Sequence, residues 1–133
     1  MFDVMKISSS ALTAQRTRMD VIARNIANMD TTRDAAGRPN PYRRQEVLFK
    51  VGMPDAPKSG VHVAAIVSDS SPFRIVQDPG NPDADADGMV RYPNVDLQRE
   101  VVDAILAQRA YEANIAAYEV SKNMLAYSLR LLG

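Results

Sequence analysis

The chain has 133 residues, with 16 Lys and Arg against 16 Asp and Glu, one histidine and no cysteine. That length suits one ordinary domain or a small domain with long appendages, and a formal charge of zero supplies no basic field for nucleic acid or an acidic membrane. Without cysteine there is no disulfide framework, thiolate zinc site or cysteine nucleophile, so no catalytic residue, metal or cofactor is expected.

Residues 3–29 contain neither Pro nor Gly, residues 34–93 hold all eight prolines and five of the six glycines, and residues 94–132 again contain neither. Pro costs about 3 kcal/mol and Gly about 1 in a helix interior. The pattern therefore predicts an α+β fold: a helix in 1–32, an irregular β-rich middle in 33–93 and a longer helix in 94–133. No stretch of about 18 apolar residues is available to cross a membrane, so no membrane insertion is expected. Residues 1–6 lack the basic and apolar regions of a cleaved signal peptide.

In the first helix Met5, Leu12, Met19 and Ile26 recur every seventh residue, and Ile22 and Met29 fill the complementary row that Ser8 and Gln15 interrupt. This is a coiled-coil seam on a helix of about 25 residues. Asn28, Met29, Asp30, Thr31 and Thr32 supply the short polar side chains that end a helix. The small Ser8-Ser9-Ser10 cluster lies in the helix pattern with no base at a recognisable spacing, and suits close helix approach better than nucleophilic chemistry.

In the middle, Gln45-Val47-Phe49-Val51 and Val61-Val63-Ala65-Val67 alternate at the strand period of two. Phe73 to Val76 and Met89 to Tyr92 are shorter candidates, separated by the turn residues Asp78-Pro79-Gly80-Asn81-Pro82. With few large apolar side chains this region predicts a thin β-element leaning on the helices or on other subunits. Asp83-Ala84-Asp85-Ala86-Asp87-Gly88 matches the opening of an EF-hand loop, but Asn94 stands where the bidentate Glu belongs, so a solvated turn is expected. His62 reads as a surface histidine. Arg38, Arg43 and Arg44 form a small basic patch whose one neighbouring aromatic, Tyr42, is too little for nucleic-acid binding.

The last helix is capped by Asn94 or Asp96, with Asp96, Glu100 and Asp103 facing the positive end of its dipole. Tyr111, Ile115, Tyr118, Leu125, Leu129 and Leu132 form one apolar stripe. Val102, Leu106, Ala110, Ala113, Ala117, Val120 and Met124 form a second beside it. One partner helix covers only part of two adjoining stripes, so this helix expects several neighbours. Charge also divides along the chain: residues 1–60 carry +4 and residues 61–133 carry −4. Opposite-signed halves favour antiparallel closure within the chain, or head-to-tail contact between copies.

Two blocks carry a family resemblance. Ile22-Ala23-Arg24-Asn25-Ile26-Ala27-Asn28-Met29-Asp30-Thr31-Thr32 is similar to the helix-end signature of the axial proteins of the bacterial flagellum, with Arg24 standing where relatives often have a second Asn. The order of Gly60-Val61-His62-Val63, residues 78–85, residues 88–95 and Ala107-Gln108-Arg109-Ala110-Tyr111-Glu112-Ala113-Asn114 resembles the proximal rod members of that family. The resemblance implies a non-catalytic subunit of the proximal rod that polymerises through its terminal helices, which together form one axial-core domain. It implies as partners other rod proteins and further copies, with the export gate or rod-base adaptor and the surrounding rings at the margins. It also implies export through the flagellar type III channel to a rod that crosses the periplasm, and helices that order fully only on assembly. Leu12, Met19, Ile22 and Ile26, then Tyr111, Ile115, Tyr118, Leu125 and Leu129, are the candidate assembly residues. Asn25 and Asn28 would fix the end of the first helix, and Asn114 the polar register of the second. Residues 49–53, from Phe49 to Met53, resemble the export signal of early substrates, although ordinary strand packing explains them as well. A soluble coiled-coil adaptor is the other reading that the helices permit.

Overall fold

The computed structural model describes residues 2–133. Helix α1 (Phe2–Ala27) and helix α2 (Leu97–Leu132) flank four strands, β1 (Gln45–Met53), β2 (Ala56–Ser68), β3 (Arg74–Gln77) and β4 (Met89–Tyr92). The α+β architecture matches the proline and glycine zoning. Beyond α1, the Asn28 side-chain amide donates to the Arg24 carbonyl at 2.9 Å and the Thr31 hydroxyl donates to Asn28 Oδ1 at 3.2 Å. Asp96 caps α2, its carboxylate accepting from the Gln98 N–H at 3.0 Å. Glu100 departs from the expected dipole role: it is fully buried, and its carboxylate is held by Arg44.

Strands β1 and β2 form an antiparallel hairpin, with Val47 opposite Ile66, Phe49 opposite Val63 and Val51 opposite Val61. Two irregularities, between Leu48 and Phe49 and between Val51 and Met53, bend it. At the second, Gly52 has φ +114°, and a Cβ there would lie 2.6 Å from the Pro57 carbonyl oxygen. The hairpin packs on α1 and α2 packs on α1, whereas the hairpin and α2 make no element-level contact. Helix α1 is thus the middle layer. Ser10 Oγ accepts from the Val61 N–H at 3.2 Å, and Lys6 pairs with Asp55 at 3.1 Å.

Strands β3 and β4 form a second, separate antiparallel pair, from Arg74 opposite Tyr92 to Gln77 opposite Met89. Arg43 and Arg91 lie over the Phe73 ring at 4.1 and 4.9 Å. In the intervening loop Asp83 accepts from Thr32 at 2.6 Å and pairs with Arg33, while Asp85 accepts from the Asp87 and Met89 N–H groups, both at 2.9 Å. His62 is exposed, with Nδ1 2.8 Å from the Gly52 carbonyl.

The buried apolar set is small and light: Ala14, Val21, Ile22, Val90, Val95 and Ala107. Ser8, Asn25, Arg44, Glu100 and Ser121 are buried beside it. So slight a core leaves most large apolar side chains of α2 outside.

Candidate assembly surface

The site is built from α2 upward. Every seventh residue from Glu100, namely Ala107, Asn114, Ser121 and Ser128, is small or polar and at least half-buried. This row, with the half-buried Tyr111, Ile115, Tyr118 and Leu125 beside it, is the face that α1 covers. Small side chains let the two helix backbones approach, which agrees with the buried Ser8 on α1. Facing them on α1, Ile22 is buried, and Leu12, Met19 and Ile26 are half-buried. Leu129 is different, 60% exposed on the part of α2 near its end.

The second stripe is uncovered. Val102, Leu106, Val120 and Met124 are 54–57% exposed, and Ala113 and Ala117 between them are exposed too. With Ala110, Tyr127 and Leu131 the row Leu106-Ala110-Ala113-Ala117-Val120-Met124-Tyr127-Leu131 keeps strict alternation of four and three residues, which is a second coiled-coil seam on one helix. At the N-terminus of α1, Phe2, Val4 and Ile7 are also exposed. A monomer seldom leaves so long a contiguous apolar strip in water unless something binds it.

Below this surface a polar junction fixes how the middle segment meets the helix pair. Asn25 does not fix the end of α1 as its position suggested. Its Nδ2 donates to the Gln45 carbonyl at 2.9 Å and lies 3.4 Å from Glu100, and its Oδ1 accepts from the Gln45 N–H at 3.0 Å and the Tyr42 hydroxyl at 2.8 Å. One carboxamide thus satisfies both backbone groups of the first residue of β1. Asn94 does similar work: its Oδ1 accepts from the Arg44 N–H at 2.8 Å, and its Nδ2 donates to the carbonyls of Asp69 and Ser71, each at 3.1 Å. Asn114 turns inward on its own helix, donating to the Ala110 carbonyl at 2.8 Å.

The expected basic patch is not a patch. Arg44 is buried and holds Glu100, Glu46, Asp69 at 3.2 Å and Asp103 at 3.6 Å. Burial opposes its charge, but the hydrogen bonds it donates to Glu100 and Glu46 outweigh that and raise its pKa, so it stays protonated. Arg43 donates to the carbonyls of Asp69 and Ser71, and Arg38 pairs with Asp34. Ser71, through its hydroxyl and then its N–H, holds the Asp69 carboxyl below its ordinary value, with Arg44 adding to this. Burial raises the Tyr42 phenol. The sign asymmetry of the two halves is realised here, in Arg33 with Asp83 and Arg44 with Asp69, Glu100 and Asp103. Among the described residues no ion pair joins α1 to α2 directly.

Arg44, Glu100, Asn94 and Tyr42 are the residues that sequence reasoning missed. A signal existed for Glu100, which begins the seven-residue row of small and polar side chains that ends up against α1. Among the described residues no group of three or more His, Cys, Asp or Glu side chains converges as a metal site, and no helix is long and apolar enough to cross a membrane. What the arrangement leaves in water is a long apolar strip on α2.

Comparison with known proteins places the chain in a class. Residues 5–33 match the family model described as flagella basal body rod protein, and residues 86–131 match the one described as flagellar basal body rod FlgEFG protein C-terminal. Full-length similarity narrows the class. The flagellar basal-body rod protein FlgC of Bacillus subtilis is 42% identical, over 98% of this chain and 97% of its own length. The FlgC proteins of Yersinia enterocolitica and Borreliella burgdorferi are 42% and 41% identical, over 98% and 99% of this chain and 97% of each relative. The chain belongs to the FlgC family of flagellar basal-body rod proteins, and it is a structural subunit of the rod.

Proposed function

We propose that this chain forms the proximal part of the rod by side-by-side packing of its terminal helices, and that it catalyses nothing. The observation that carries the reading is the uncovered second seam of α2, with Val102, Leu106, Val120 and Met124 more than half exposed. With about half its surface still in water, each such side chain contributes roughly 1 kcal/mol or a little more when a neighbour covers it, which also favours the ordering of the helices on assembly. In this reading residues 1–32 and 94–133 are one axial-core unit, and residues 33–93 lie outside it. Leu129 contacts a neighbour directly. Leu12, Met19, Ile22, Ile26, Tyr111, Ile115, Tyr118 and Leu125 shape the pair that presents the seam, Asn25 ties that pair to β1, Asn28 holds the end of α1, and Asn114 holds the register of α2. The partners are other rod proteins and further copies, with the export gate or rod-base adaptor and the surrounding rings at the margins. The chain reaches the periplasmic rod through the flagellar export channel without losing an N-terminal peptide, with residues 49–53 of β1 as the candidate export string.

The test is Leu106→Asp and Val120→Asp, singly and together. Both positions are exposed, so the variants are expected to be made and to keep the wild-type circular dichroism, yet to be missing from purified basal bodies, with motility lost. Normal basal bodies containing the double variant would overturn the reading.

A further inference from the structure

The β1–β2 hairpin crosses α1 obliquely, which leaves it one open edge on each side. At its base Asn25 bonds both the N–H and the carbonyl of Gln45, so the backbone of Gln45 points away from β2. Near its tip Ser10 takes the Val61 N–H, so there β2 turns its outer edge to α1. In an antiparallel pair these groups alternate sides along each strand. Val51 lies opposite Val61 and Phe49 opposite Val63, so Phe49 and Val51 direct their N–H and carbonyl groups away from β2. Likewise Ser68, opposite Gln45, and Ile66, opposite Val47, direct theirs away from β1. The sheet has two strands, and among the described residues no turn or loop backbone bonds these four. Leu48 to Val51 on one edge are all exposed, as are Ala64, Ala65, Ile66 and Ser68 on the other. Soluble proteins guard such edges with charge or proline. Here residues 59–68 hold neither, and Lys50 is the one charge in residues 47–53.

We infer that the hairpins of adjacent copies of this chain join edge to edge, β1 of one copy pairing with β2 of the next. This rests on the rod reading above and adds a sheet contact outside the terminal helices. Three observations select a second copy as the occupant. First, β1 and β2 run antiparallel. Copies that all point one way along a shaft therefore set β2 of one beside β1 of the next in the pairing the hairpin already uses. Two β1 edges would meet only if one copy were turned end for end. Second, the open stretches lie on opposite sides of the hairpin, so the contact is heterologous and passes from copy to copy without closing on a pair. Third, the stretches match in length, 48–51 against 64–68. Within one hairpin Leu48 faces Ala65 and Val51 faces Val61. Full overlap between copies therefore shifts the register by two to three residues, roughly 7–10 Å at 3.4 Å per residue. Adjacent hairpins are stepped along the axis by that amount.

The chain has no cysteine, so introduced thiols report one contact at a time. The test pairs Val51→Cys with Ala64→Cys, and Val51→Cys with Ile66→Cys to cover the next register. Inside one hairpin Val51 faces Val61, which puts both partners roughly 10 Å or more away, beyond disulfide reach. All three positions are exposed, so the variants are expected to keep the wild-type circular dichroism. Each full-length variant is expressed in motile cells, and purified basal bodies are oxidised and run on a non-reducing gel. The expected product from at least one pair is a ladder of linked copies that reductant collapses, with none from any single substitution. A photo-crosslinking amino acid at Val51 alone is expected to reach residues 63–68 of another copy, read by mass spectrometry. Unlinked chain in the basal bodies, a dimer from Val51→Cys alone, or photo-crosslinks only to helices would overturn the edge pairing and leave the rod reading intact. Absence of the wild-type chain from basal bodies would instead overturn the rod reading.

Discussion

Asn25 shows how much one carboxamide can carry when it stands in for a strand. Replacing it with Ala leaves the Gln45 N–H and carbonyl and the Tyr42 hydroxyl without their partner at a site where Asn25 is wholly buried. The expected loss is about 2–4 kcal/mol, read as a lower urea midpoint. Asn28→Ala, at a half-buried helix end, should cost about 1 kcal/mol. Gly52→Ala meets a different obstacle, a positive φ and a carbonyl 2.6 Å from the new Cβ. It should destabilise the hairpin by about 1–3 kcal/mol, with faster amide exchange in β1 and β2 than in α2. Both asparagines of the α1 signature are visible in the sequence as helix-end residues. That Asn25 faces Gln45 depends on a contact 20 residues away, which no local pattern encodes.

At the scale of elements, the Arg44 cluster joins β1, the loop after β2 and the start of α2. Arg44→Met leaves Glu100 buried without its cation and should cost about 3–5 kcal/mol, more than Glu100→Gln. The double change Arg44→Met with Glu100→Leu should recover part of that loss, and urea titration of the three variants checks the order. Asp69 adds a pH dependence. Its carboxyl is held below the usual 3.9 by Ser71 and then Arg44. A depressed folded value gives stability that is present above the unfolded value and is lost as pH falls through the folded one. Stability should therefore decline below about pH 4, and Asp69→Asn should flatten that decline. The helices and strands were legible because periodicity and the proline zones are local properties. The burial of Arg44 was not, because neighbouring Arg43 and Arg44 look alike in sequence and only the fold separates them, one onto Phe73 and one into the core.

For the whole molecule, the two stripes of α2 make a division of labour that the sequence partly anticipated. It showed that one partner helix is too few. It did not show that the row with small residues, Ala107 and Ser121, is the one α1 takes, leaving the row of Leu106, Val120 and Met124 in water. The contrast is testable. Ile22→Asp, at a buried site, should unfold the pair, whereas Leu106→Asp should change the melting temperature by no more than a few degrees and still abolish incorporation into the rod. Thermal melting beside basal-body composition separates the two effects.

The layering of the hairpin has a consequence for inheritance. Strands β1 and β2 pack on α1, and the β3–β4 pair packs on no other regular element. Length added or lost at the tip of the β3–β4 pair therefore does not disturb the helix pair. The alignments with the Bacillus and Borreliella relatives run over 146 and 150 positions, more than the 133 residues of this chain, so those proteins carry extra residues. A fold attached this way allows a middle segment to change length between relatives while the helix pair keeps its packing.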